Sequence, residues 1–535
     1  MKINLTLSRD TVSRWLAWAD RRTWTRIIVL FSIILSVTAI IWSYRHDAIL
    51  AYGDAESHLN IAKRVVHSLT PGLAQLGGIW LPLPHVLMLP LVYFDTLWRT
   101  GLAGSIVSGI AFVISAVFLY RLAHLITNHK LVSLVAPLLF MTNPNILYLQ
   151  TTPLTELPLM AFFVLNSYYF IRHLKDRSDL LSLILAAFFG FCATLSRYDG
   201  WFLVALEAVA LALRDFSWKR LWPPVSAQSE GRTVLFSTLA FFGIALWLLW
   251  GYLILGNPLY FTSSQFSAKS QQRGWLAKGQ LPSYRNLGNA LAYYSVVSAA
   301  DTGLLIFACG LIGLVLLIKD KQLPYRRPLI TVLFTPFIFY VITLYMGQSL
   351  IFVPSLTPVG FEWRLFNVRY GVMMVPVISV MVAYLVSRAR LPGRLLIGLL
   401  VVLQFGLYAV GYSPIYAYKD GTVGLSSARR PDAERWLAAN YDTGLIIIDD
   451  YSRIFSVIRA HLPMQNIIYI GTHPYWEESL AAPWVHARWL VIQKGDELWK
   501  AFYETEDKQA RLYTYFEKAY TSEEILVFRR QPQYD

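Results

Sequence analysis

"WLPLPHVLMLPLVYFDTLW", residues 80–98, is apolar enough to pass for a membrane span, and whether it crosses decides the topology of the whole chain. The stretch holds Pro82, Pro84 and Pro90. Each proline removes a backbone donor, and Pro90 would disturb any helix built around it. Charge parity supplies the second argument. Apolar runs of about span length lie near 27–43, 103–121, 131–149, 155–172, 181–196, 200–213, 233–255, 302–318, 329–346, 370–387 and 394–412. Basic stretches between spans belong on the cytoplasmic side. They are 1–26 with six Lys or Arg, "RLAHLITNHK" at 121–130, "RHLKDRSD" at 172–179, "RDFSWKR" at 214–220, "KDKQLPYRR" at 319–327 and "SRARLPGR" at 387–394. The first span leaves outward at Tyr44, so an odd number of crossings must separate 45 from 121. A crossing at 80–98 would break that parity. The segment is therefore expected to be juxtamembrane or re-entrant on the outer side.

The expected fold is an α-helical polytopic membrane protein of about eleven transmembrane helices with outer-face juxtamembrane helices. The N-terminus is placed in the cytoplasm. The outer segments are 45–101, 150–154, 256–301, 347–369 and the tail from Ser413. Composition agrees, with 56% hydrophobic and only 15% charged residues in 535, against roughly 25% charged in soluble domains. The net charge of +14 resides in the membrane part, because the tail carries 14 Lys or Arg and 17 Asp or Glu. No basic stripe suggests nucleic acid as a partner. Two cysteines, Cys192 and Cys309, both in apolar runs, exclude a disulfide framework or a cysteine zinc site. The apolar run after the basic N-terminus lacks a small-residue cleavage site and reads as a retained signal anchor. The tail alternates strand-like "GLIIIDD" (444–450), "QNIIYIG" (465–471), "RWLVIQK" (488–494) and "EILVFRR" (524–530) with helical "DAERWLAANY". That pattern predicts a small extracytoplasmic α/β domain over 413–535, beside a transmembrane domain over 1–412.

Ionisable groups beside hydrocarbon are costly and so draw attention. In "AYGDAESHLNIAKRVVHSL" (51–69), Leu59, Ala62, Val66 and Leu69 share one helical face, and Glu56, Asn60, Lys63 and His67 the other. An amphipathic helix lying in the interface is expected. Asp54 is either its N-cap, with the helix starting at Ala55, or a reactive carboxylate. Glu56 is a first-turn acid favoured by the helix dipole. Glu156 begins the span after "NPNILYLQTTPLT", with Thr155 as its expected cap. Two carboxylates at the same depth could share a divalent cation or divide catalytic labour. Arg197 and Asp199 form either a local ion pair or part of a site. Arg369, followed by Tyr370, is either a snorkelling arginine or a phosphate ligand, since a guanidinium fork matches phosphate oxygens. Lys269 and Arg273 either contact an anionic headgroup or are solvated loop charges. His58 and His85 are candidate ligands or packed histidines. Glu207, inside a span, is expected to pair internally.

The motifs "GDAESHLNIAKR", "QLGGIWLPLPH", "PNILYLQTTPLTE", "LSRYDGW", "GNPLYF" and "FNVRYGVMMVP" are weak singly. In this order, and on one side, they resemble the C-type superfamily of polytopic membrane glycosyltransferases. The nearest branch is that of the protein O-mannosyltransferases and the lipid A aminoarabinose transferase. The resemblance spans roughly 45–376. It implies transfer of a sugar from a polyprenyl-phosphate donor to a hydroxyl of a protein, lipid or glycan acceptor, on the outer face of the plasma or inner membrane. It assigns catalysis to Asp54, as general base, and to Glu156. Glu56, His58, His85, Arg197, Tyr198, Lys269, Arg273, Arg369 and Tyr370 become substrate-binding candidates, with Asp54 and Glu156 as the ligands of any metal. Because a lipid phosphate leaves without much protonation, one base suffices and inversion is implied. Two departures stand out. Ala55 separates acids that protein mannosyltransferases carry adjacent, and Trp80 and Leu81 precede Pro82 where a basic residue is common. The alternatives are an oligosaccharide transferase of the same superfamily, a lipid or glycan transporter or flippase, and a silent scaffold. A transporter would show paired halves, and the sequence has no internal duplication.

Overall fold

A computed structural model describes residues 21–214, 227–428, 430–449 and 455–534. The basic stretches 1–20 and 215–220, and Asp450 of the first strand-like run, lie outside the described residues. The segment 80–98 does not form one helix. It breaks into Leu83–Val92 and Asp95–Thr100, separated at Tyr93 and Phe94. Pro82 and Pro84 sit at the start of the first piece, where a missing donor costs nothing. Ten residues rise about 15 Å, half of a hydrocarbon core. The Leu83 N–H donates to the Leu195 carbonyl (3.0 Å), tying this piece to the turn that carries Arg197.

Among the described residues, five helices are long and apolar enough to cross a membrane: Thr23–Arg45, Leu102–Thr127, Ala227–Leu255, Val368–Arg388 and Leu391–Ala409. Two bent pairs, Leu287–Thr302 with Leu304–Lys319 and Arg326–Leu333 with Thr335–Tyr345, raise this to seven. The runs expected to cross at 131–149, 155–172, 181–196 and 200–213 are also helical, but interrupted at Asn143, more polar, or only 15 and 16 residues long. Helices surrounded by protein need not be apolar all round, and Glu156–Lys175 is buried along most of its length. Helix Leu287–Thr302 was not expected, having been assigned to an outer loop. Gly303 makes its 113° bend: it has φ +94°, and a Cβ there would stand 2.7 Å from Gln404 Cγ.

The tail holds a five-stranded sheet of order β2-β1-β3-β5-β4: β1 Leu445–Ile448, β2 Ile467–Ile468, β3 Ala487–Gln493, β4 Phe516–Thr521 and β5 Ile525–Arg530. β2, β1 and β3 run parallel, and β5 is antiparallel to both β3 and β4. Four strands match sequence expectation; the edge strand β4, "FEKAYT", does not. The sheet's apolar face continues into the outer loop, where Leu59, Ala62, Met88, Val92 and Trp98 share one core with Ile446, Ile448, Val457 and Leu462. Helix Gly53–His67 is therefore sandwiched, with Asp54, Ser57, Ile61 and Val65 along one edge, and His67 at its end, half-buried. Of its expected polar stripe, Glu56, Asn60 and Lys63 are buried and only His67 stays half-buried. Lys63 is 1% exposed and binds Asp95 Oδ1 (2.5 Å) and the Val92 carbonyl (3.0 Å), while Asn60 accepts from Trp98 Nε1 (3.1 Å).

Candidate active site

The helix expected to start at Ala55 starts at Gly53, whose N–H donates to the Ser426 carbonyl (3.0 Å). Tyr52 takes the cap position and makes no side-chain cap bond. Asp54 thus sits in the first turn, and its Oδ2 accepts from Arg369 Nη2 at 2.6 Å. Glu156 opens helix Glu156–Lys175. Thr155 precedes it without capping it; its hydroxyl accepts instead from Arg197 Nη1 (2.9 Å). Oε1 of Glu156 accepts from Arg369 Nε (3.3 Å) and Arg197 Nη1 (3.2 Å). Arg197 completes the row through Nε to Asp199 Oδ2 (3.0 Å) and Nη2 to the Tyr340 hydroxyl (3.0 Å).

The outcome is an alternating ladder, Asp54–Arg369–Glu156–Arg197–Asp199, of three carboxylates and two guanidiniums. Tyrosines floor it. Arg369 lies over Tyr52 (4.5 Å) and Tyr370 (5.5 Å), Arg197 over Tyr370 (5.4 Å), and Tyr370 stacks on Tyr340 (5.0 Å). Alternation is what low dielectric requires, because each buried charge has an opposite neighbour. Exposure is uneven along it. Glu156 and Asp199 side chains are 1% and 5% exposed, whereas Asp54 is 18% exposed. Arg369 Nη1 and Glu156 Oε2 are buried without a hydrogen-bond partner, as expected of atoms that await a ligand.

Sequence reading placed Asp54, Glu156, Arg197, Arg369 and Tyr370 among the site residues, and the fold brings these five together. It missed Tyr340, which lies in an apolar run with no distinguishing signal, and Tyr52, whose signal was an aromatic ring two residues before the acid. His58 lies one turn after Asp54. Its Nδ1 is 2.8 Å from His85 Nε2, and Trp80 packs on its ring (4.6 Å). Burial pulls His58 down to about 4, against the upward pull of Asp54 and Glu156, so both histidines are neutral packed rings at pH 7. Glu56 turns away from the ladder. Its carboxylate accepts from Ser456 Oγ (2.7 and 2.6 Å) and Ile458 N (3.3 Å), fastening the tail to the helix that carries Asp54. The Tyr198 hydroxyl donates to the Ile79 carbonyl (2.7 Å) and its ring stacks on Phe261, holding two outer loops together. Lys269 and Arg273 are exposed on short helices of the 256–301 segment. Glu207 pairs internally as expected, with Asn166 (2.9 Å).

A divalent cation shared by Asp54 and Glu156 does not fit this arrangement. The Arg369 guanidinium already bridges the two carboxylates, and among the described residues no group of three or more His, Cys, Asp or Glu could hold a metal.

Residues 97–252 match the sequence model of the dolichyl-phosphate-mannose-protein mannosyltransferase family. No curated protein sequence matches the chain. Among solved structures, ArnT from Cupriavidus metallidurans bound to undecaprenyl phosphate is similar over 96% of this chain and 99% of its own, with a TM-score of 0.54 at 11% identity. Its apo form gives 0.53 at 12% identity, over the same shares. The apo oligosaccharyltransferase of Archaeoglobus fulgidus gives 0.50 at 11% identity, over 88% of this chain and 69% of that one. The chain is a multi-pass membrane protein that shares its fold with ArnT, and its similarity to the mannosyltransferase family model is confined to residues 97–252.

Proposed function

We propose that the protein transfers a sugar from a polyprenyl-phosphate donor to an acceptor hydroxyl on the extracytoplasmic face, with inversion. The observation that carries this reading is the ladder's geometry. A partly accessible carboxylate, Asp54, is held at 2.6 Å by an arginine that keeps one donor nitrogen unused. Asp54 takes the proton of the acceptor hydroxyl as that oxygen bonds to the anomeric carbon. The bond from that carbon to the phosphate oxygen breaks with its electron pair, leaving the lipid phosphate. Arg369 Nη1 donates to the phosphate oxygens as charge develops there. Glu156 holds Arg369 and Arg197 in register, and Glu56 acts as a positioning residue through Ser456.

A fold neighbour that binds undecaprenyl phosphate supports this donor class. The two-domain division at 412/413 fits the same reading, with the tail as a wall of the acceptor side. The test is transfer from defined polyprenyl-phosphate sugars to membrane acceptors by purified wild type and Asp54→Asn. A loss of about a hundredfold or more in kcat is expected, since general base catalysis contributes roughly 10²–10⁴-fold. Full activity of Asp54→Asn removes Asp54 as the base, and no transfer from any such donor by wild type removes the reading itself.

A further inference from the structure

The end of the bundle opposite the ladder holds a cavity of about 370 Å³ between helices Arg21–Arg45, Leu102–Thr127 and Glu156–Lys175. Glu156 starts the third of these helices at the ladder, whereas the cavity meets that helix at Tyr168, more than three turns further on. From Arg26, on the cavity, the first helix climbs to Arg45 over about 29 Å, close to the thickness of a hydrocarbon core. The cavity thus opens at the far membrane interface.

Its polar lining is Thr25, Arg26, Tyr120, Arg121, His124 and Tyr168, with no acid among the described residues. Arg26 and Arg121 make no ion pair with any described residue. The Arg121 guanidinium is braced over the Phe118 ring (4.7 Å). Interfacial arginines commonly snorkel towards water singly. Here two of them, from different helices, line one concavity with an imidazole and three hydroxyls. The volume far exceeds the ~30 Å³ of a water molecule and lies in the range of small-molecule sites, about 300–1,000 Å³.

We propose that this cavity binds the phosphodiester headgroup of an anionic phospholipid in the leaflet opposite the ladder. Guanidinium forks from Arg26 and Arg121 grip the phosphate oxygens, and the hydroxyls of Thr25 and Tyr168 meet the polar alcohol beyond. Basic pockets between membrane helices suit such headgroups. The inference rests on these residues alone and is independent of the transferase reading.

The test uses the full chain in mixed micelles, with native mass spectrometry to read bound phosphatidylglycerol against phosphatidylcholine. Wild type should retain phosphatidylglycerol preferentially. Arg26→Gln with Arg121→Gln should cut that preference about twenty-fivefold, the product of two basic contacts each worth roughly fivefold near a membrane surface. If the double variant unfolds, Arg26→Gln at the exposed rim carries the test alone, with about a fivefold loss. Equal retention of the two lipids by wild type, or an unchanged preference in the folded variant, overturns the proposal. Displacement of phosphatidylglycerol by inorganic phosphate at equal concentration also overturns it, because the cavity would then be a simple anion site.

Discussion

Replacing Arg369 with methionine, in combination with Glu156→Gln, probes whether the ladder is one electrostatic unit. At 3.3 Å the Nε–Oε1 pair has a gross Coulomb energy of about 5 kcal/mol at an effective dielectric of 20. Removing one partner of a buried pair typically costs about 3–5 kcal/mol, because the other charge is left uncompensated. Here Arg197 stays 3.2 Å from the same oxygen, so the lower end of that range, about 3 kcal/mol, is expected for Arg369→Met. Glu156→Gln in that background removes one of the two carboxylates that Arg369 had neutralised, the other being Asp54. The double variant should therefore be less destabilised than the sum of the singles, by about 1–3 kcal/mol. The assay is unfolding of the purified protein by SDS titration, followed for all four corners of the cycle. Additive effects within about 0.5 kcal/mol, the scatter of independent sites, would refute the ladder as a coupled unit and with it the positioning role given to Glu156.

Gly371→Ala should abolish most transfer, since its Cβ would stand 2.3 Å from the Val297 carbonyl and force the turn bearing Arg369 off its partner helix; wild-type turnover in the variant would contradict that packing. Ser456→Ala should destabilise the tail against the outer loop by about 1–3 kcal/mol, the cost of a buried carboxylate losing its donor; limited proteolysis of the tail reads the change. Burial raises Glu434 to about 7, so its carboxyl binds a proton in the fold before it does in the unfolded chain, and the stability this confers is lost as pH rises from about 4.5 through 7. Glu434→Gln should leave the unfolding free energy unchanged at pH 4 and raise it at pH 8.5, by up to about 3 kcal/mol for a shift of this size; equal effects at both pH values would contradict it. His58 carries the opposite sign: burial lowers it to about 4, the unfolded chain binds the extra proton, and stability falls with acidification from about 6.5 to 4. His58→Gln should flatten that acid limb in thermal unfolding scans.

Which residues meet was legible in the sequence wherever hydrocarbon makes a charge exceptional. Asp54, Glu156, Arg197 and Arg369 stand out because a membrane chain has few reasons to carry them, and parity put all four at one end of the bundle. The polar stripe of Gly53–His67 was misread for a related reason. Periodicity says that a face is polar but not what covers it, and Glu56 meets Ser456, 400 positions further on. The strand β4 was missed because its exposed edge needs little apolar patterning. The caps explain the remaining difference. Asp54, Glu156 and Asp199 each fall in the first turn of a helix, and Arg369 falls in the 3₁₀ turn Val368–Met374 that opens the span Val368–Arg388. Read singly, each acid is a dipole-favoured first-turn residue, and that reading is correct locally. The site arises because membrane helices starting on the same side, together with the outer-loop helix Gly53–His67, present their N-termini at the same level. Several positive helix ends then converge on one place, where they favour acids in the resting protein and would favour a phosphate beside the unused Arg369 nitrogen. Helix start and proposed reaction centre are thus consequences of one topological fact, and no test that considers a single helix can tell them apart.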